Sequence, residues 1–162
     1  MDFRIAKNIS RIAAIQLMYE KNILNINTDS ALNSFYDYID NYKDYGSDES
    51  IYSKMHSRFF KKLTSHFYEN VDFNNIYNSC LSNSKMIEDS EILNSIIRVA
   101  TLEMIYEKTA LPVIINEYVE ISKDFTSDKE VKLINAILDK ISKYIKKPCK
   151  SQSQTNTPQV IQ

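Results

Sequence analysis

The chain has 162 residues, a formal net charge of −1, one glycine, three prolines and two cysteines. That length suits one domain with a single core, and the scarcity of glycine argues against the tight turns of a β-sandwich or barrel. Near-neutral charge excludes a general attraction to phosphate, so a nucleic-acid binder of this composition has to concentrate its basic residues locally.

Periodicity predicts a first helix over residues 8–25, capped by Asn8, with Ile9, Ile12, Ala13, Gln16, Tyr19 and Ile23 on one face. A second is predicted over 30–45, carrying Leu32, Phe35, Tyr36, Ile39 and Tyr42 and ended by Gly46. Ile51, Met55, Phe59, Leu63 and Phe67 repeat every four residues, which predicts a third over 50–70. A short fourth covers 73–81, and the polar stretch 81–88 reads as a loop. Asp89 or Ser90 caps a fifth that runs to about residue 107. It is apolar around much of its circumference, which predicts a central, buried position. Pro112 fits the first turn of a sixth. Ser127 and Glu130 have capping-box spacing at the start of a seventh, which Pro148 stops. Residues 149–162 are polar and aperiodic, and a disordered tail is expected there. With no credible strand, the expectation is an all-α, single-domain bundle of about seven helices over residues 1–148.

Catalytic chemistry is not expected. His56 and His66 do not share a helix face, and no cysteine or carboxylate completes a metal set with them. A single glycine rules out the dinucleotide fingerprint, the phosphate-binding loop and the nucleophile elbow. Glu88, Asp89 and Glu91 suit the positive end of a helix dipole. No cofactor, metal or small-molecule substrate is therefore predicted. Cys80 and Cys149 form no disulfide framework, which points to a reducing, cytoplasmic compartment. No segment reads as a signal peptide or a membrane span.

Two basic groups stand out. Arg4, Lys7 and Arg11 are spaced three and four apart and lie on one face if the first helix reaches back that far. They are candidate phosphate contacts, although the same spacing fits a solvated helix face. Lys123, Lys129 and Lys132 surround the joint between the sixth and seventh helices, where exposed amides also attract anions. Tyr118 and Phe125 flank that joint. Tyr118 lies on an apolar stripe and suits the core, whereas Phe125 ends its helix and is the better candidate to stack on a base. Lys61, Lys62, Lys146, Lys147 and Lys150 read as ordinary surface charge.

Five segments in order carry a resemblance: Ser10 to Tyr19 (SRIAAIQLMY), Arg58 to Leu63 (RFFKKL), Ile97 to Met104 (IRVATLEM), Ile115 to Lys123 (INEYVEISK) and Asn135 to Ile141 (NAILDKI). Together they resemble the NusB family of transcription antitermination proteins. The resemblance implies a small all-helical, non-enzymatic factor that binds boxA, a single-stranded RNA element, together with the ribosomal protein NusE. Such a factor acts indirectly on the elongating RNA polymerase of ribosomal RNA operons. By the same resemblance Lys7, Arg11, Lys123 and its neighbours face RNA, Tyr19 meets NusE, and Arg98, Glu103, Asn116, Glu117 and Asp139 are buried structural residues.

The chain departs from the family pattern at Thr126 and Ala136, where glycines are usual, and at Ala110 to Val113, which shift a proline and lack a lysine. Its amino-terminal arginine cluster is thinned to Arg4, Lys7 and Arg11. Two other readings share the resemblance. One is a NusB-like helical interaction module with weak or lost RNA binding. The other is an RNA-binding domain related to that of ribosomal RNA cytosine-5 methyltransferases, whose chains continue into a large α/β domain.

Overall fold

The computed structural model describes residues 2–41, 50–83 and 85–147, leaving aside the side chain of Met86. The predicted end of the second helix, its Gly46 stop, Pro148 and the 149–162 tail lie outside the described residues.

α1 (Phe3–Ile23) begins earlier than predicted, because Asp2 supplies the cap: its carboxylate accepts the Arg4 N–H at 3.0 Å. The helix ends on Asn25, whose φ of 51° is left-handed. The Ile26 and Asn25 amides turn back to the Lys21 and Asn22 carbonyls at 3.1 and 3.3 Å, so asparagine fills the role that glycine usually takes in this kind of stop. α2 (Thr28–Asn41) follows at once and buries Ala31 and Phe35.

The predicted third helix is corrected. Residues 51–54 form a 3₁₀ turn, α3 covers Ser57–Ser65, and a second 3₁₀ turn covers His66–Tyr68. Tertiary contacts to α1 hold the break: the His56 amide donates to the Ala6 carbonyl, and the Ser10 hydroxyl donates to the His56 carbonyl, both at 3.1 Å. The His56 ring then caps α3, its Nδ1 accepting the Phe59 N–H at 3.0 Å. A four-residue apolar repeat cannot reveal that two of its backbone groups are claimed by another helix.

α4 (Phe73–Cys80) is capped by Asp72. The predicted loop after it contains a single helical turn, α5 (Lys85–Glu88), which puts Ile87 into the core at 1% exposure. Burial of one isoleucine beats the polar character of its neighbours there.

α6 (Glu91–Tyr106) starts at Ser90 and has eleven of its sixteen residues buried, more than any other element. It packs against α1, α7 and α8 and forms the axis of the core, as its broad apolar circumference predicts. α7 (Leu111–Ser122) opens with Pro112 in its first turn. α8 (Asp128–Lys146) opens with the expected capping box, in which Glu130 accepts the Ser127 N–H at 2.8 Å. Among the described residues there is no strand. The chain is all-α, and its described residues form seven helices of eight residues or more, one single-turn helix and two 3₁₀ turns.

Candidate nucleic-acid interface

α1 and α7 lie side by side over α6, and the polar groups between them are used up on one another. Arg11 forks onto Glu103 of α6, with Nε donating at 3.0 Å and Nη2 at 2.7 Å. Its Nη1 donates to Asn8 at 2.7 Å, and the Tyr118 hydroxyl donates at 2.8 Å to Glu103 Oε2, the oxygen that also accepts Arg11 Nε. The guanidinium carbon also lies 5.2 Å from the Phe59 ring centre and 5.8 Å from that of Tyr118. Arg11 is only 2% exposed and Glu103 is fully buried. Burial pulls the Arg11 pKa down, but the hydrogen bonds and charge of Glu103 outweigh it, so it sits above its ordinary value. Burial and the Glu103 charge push the Tyr118 hydroxyl well above the usual tyrosine range.

This arrangement corrects the expected set of RNA contacts. Arg11 is a core ion-pair residue with no face available to phosphate. Arg4 is exposed, but its Nε donates to Glu117 at 2.7 Å, and Asn8 donates to the second oxygen of that carboxylate at 2.5 Å. Arg4, Lys7 and Arg11 thus point to different partners: Glu117, the Phe3 and Phe59 rings, and Glu103. Among the residues expected to be structural, Glu103 and Glu117 are buried. Arg98 is half-buried, donating to Asn94 at 3.0 Å with its guanidinium 4.9 Å from the Phe73 ring centre. Asn116 is exposed, and Asp139 is a partly exposed partner of Lys143.

Two surface hollows remain along α1. At its amino-terminal end the Lys7 ammonium lies 4.9 Å from the ring centres of both Phe3 and Phe59. It borders an open cup of about 410 Å³ that also draws on Arg58, Lys62, Glu107 and Lys108. Glu107 is held by Lys62 at 2.7 Å and His66 at 2.8 Å, and His66 stacks on Tyr106 at 4.6 Å. Partial burial raises the Glu107 carboxyl, but the bonds and charges of Lys62 and His66 more than reverse that and leave its pKa lowered.

Further along α1 is a second hollow of about 260 Å³, lined by Ile12, Gln16, Tyr19, Tyr52, Ile92 and Phe125. Tyr52 reaches over to hydrogen-bond Gln16. The hollow unites two residues singled out for different reasons, Tyr19 at 39% exposure and Phe125 at 46%. Lys123, Lys129 and Lys132 are exposed around the same joint. Lys123 is paired with Glu120 at 2.6 Å, while Lys129 and Lys132 make no ion pair among the described residues. Tyr118, the other aromatic near this joint, is core.

An apolar hollow edged by aromatics, next to exposed ammonium groups, suits a flat base with a phosphate beside it. Sequence reasoning did not bring Phe3, Arg58 and Lys108 together, because α1, α3 and the segment after α6 meet around this cup only in the fold.

The described fold is that of a known class of helical proteins. The structure of T. maritima NusB superposes with a TM-score of 0.64, covering 85% of this chain and 90% of that one at 19% sequence identity, which establishes the shared fold. Residues 8–143 match the family described as the NusB family. The transcription antitermination protein NusB of Rickettsia massiliae (strain Mtu5) is 32% identical over 145 residues, covering 85% of this chain and 91% of the relative. That of Rickettsia felis is 33% identical over 144 residues, covering 84% and 90%. The chain belongs to the NusB family of transcription antitermination proteins.

Proposed function

We propose that the chain is a non-enzymatic, cytoplasmic adaptor that binds single-stranded boxA-type RNA together with NusE and so assists antitermination in ribosomal RNA operons. The observation that carries this reading is the apolar hollow that joins Tyr19 to Phe125, with the exposed Lys123, Lys129 and Lys132 on either side of Phe125 in the sequence. A base stacked on Phe125 lies close enough to Tyr19 for a protein seated there to contact the same strand. Two modest surfaces on one strand then reinforce each other through effective concentration. Residues 1–148 are the unit proposed to do this, with 149–162 as an appended polar tail.

The test is fluorescence anisotropy with a labelled boxA-type oligonucleotide, with and without NusE. Weak binding alone and markedly tighter binding with NusE are expected. A chain that binds NusE but gives no RNA signal under either condition would favour the protein-interaction module instead.

A further inference from the structure

We propose that the cup between α1, α3 and residues 107–109 is a second RNA subsite, which takes a backbone phosphate on Lys7, Arg58 and Lys108 and a neighbouring base on Phe3. The proposal rests on the RNA-binding reading above and adds to the expected Lys7 contact the Phe3 ring and two cations from outside α1, Arg58 and Lys108.

Three observations carry it. First, the thinned basic cluster of α1 has little charge left for RNA: Arg11 is buried against Glu103 and Arg4 is bonded to Glu117. Second, the cup gathers four cationic side chains and one carboxylate from elements far apart in sequence. The carboxylate, Glu107, is already bonded by Lys62 and His66. Lys7, Arg58 and Lys108 make no ion pair among the described residues. On a chain of net charge −1, such a gathering is the local positive field that a phosphate needs. Third, the wall of the cup is aromatic. Phe3 is 60% exposed and is held edge-on to His56 at 4.9 Å, so its ring is oriented before any ligand arrives. An exposed, fixed ring beside cations is the pairing used to hold single-stranded nucleic acid, with stacking on the base and charge on the backbone. A volume of about 410 Å³ is within the range of sites that take a small ligand or one residue of a polymer.

The experiment measures affinity for a labelled boxA-type RNA, with NusE present, across a series of salt concentrations. Arg58→Ala with Lys108→Ala should lower the slope of log affinity against log salt by about 0.7 to 1.4, for one or two lost phosphate contacts on a single strand. Lys140→Ala with Lys147→Ala removes equal charge from α8 and the residue that follows it, beside Cys80, and should leave the slope near that of the wild type. Phe3→Ala should weaken binding by about fivefold or more at constant slope, as loss of one stacked base does. Thermal melts establish that each variant is folded, and glutamine replacements at 58 and 108 serve if the alanine pair melts low. A wild-type slope and affinity in the Arg58/Lys108 variant overturns the cup and leaves the RNA-binding reading standing. An equal drop in the α8 control also overturns it, because net charge would then explain both. No RNA binding by the wild-type chain overturns both readings.

Discussion

At the scale of single residues, Arg11 shows how position governs chemistry. Its spacing from Arg4 and Lys7 suits a phosphate contact, yet its guanidinium is buried on Glu103 beneath Phe59 and Tyr118. Breaking a buried pair leaves one charge without compensation. Glu103→Ala is therefore expected to lower stability by about 3–5 kcal/mol, measured by urea unfolding. A loss below about 1 kcal/mol, the scale of an exposed pair, would mean that Arg11 can swing out to water. Alkaline pH tests two buried tyrosines, Tyr118 in this group and Tyr77 on α4. Tyr77 is pushed up to about 12 by burial, and burial and the Glu103 charge hold Tyr118 well above the usual tyrosine range. A raised tyrosine pKa contributes stability that is intact below the unfolded value, about 10, and is lost as pH climbs through the folded value. Stability should fall progressively above about pH 10, and Tyr77→Phe should remove part of that dependence.

At the scale of elements, α6, the end of α3 and the start of α8 matter most. Ile96 is fully buried in the middle of α6. Ile96→Ala should cost about 2–5 kcal/mol in urea, and a loss near zero would remove α6 from the centre of the core. The joint between α3 and α6 depends on Glu107, which Lys62 and His66 grip together. Its carboxyl is lowered in the folded chain, so its contribution is present above the unfolded value, about 4.3, and is lost as pH falls through the folded one. Glu107→Gln should flatten the acid limb of the stability profile. An unchanged acid limb would show that the pair does not persist in solution. The capping box of α8 is local and separable: Ser127→Ala should cost about 1 kcal/mol and leave the core packing unaltered.

At the scale of the whole molecule, the bundle turns α1 into a rail with different chemistry at each end. Lys7 lies in a basic, aromatic cup, while Ile12, Gln16 and Tyr19 face an apolar hollow closed by Phe125. The two are separated by five to twelve residues of helix, roughly 8–18 Å at 1.5 Å per residue, a distance that a few nucleotides of single strand can cover. Tyr19→Asp should weaken association with NusE and leave the melting temperature almost unchanged, because the ring is already partly exposed. Unfolding by this substitution would place Tyr19 in the core and remove it from the interface. Lys129→Ala with Lys132→Ala should flatten the salt dependence of RNA binding, and equal slopes would mean that these two lysines are merely solvated.

The sequence by itself determined the class of fold, the position of α6 and the family. Broad apolar circumference, three-four spacing and a capping box are local patterns, and local patterns survive folding when core burial agrees with them. It also marked Phe125, which ends its helix, and through the resemblance Tyr19, which periodicity alone places on the apolar face of the first helix. Tertiary structure alone decided which charges stay in water. A lysine or arginine looks the same in sequence whether its partner is solvent or a carboxylate 92 residues away, so Arg11 read as surface while Arg58 and Lys108 were not singled out as charged contacts. The break at His56 had the same cause. Hydrogen bonds to Ala6 and Ser10 overrode a regular apolar repeat, and no window of sequence contains both sides of that competition.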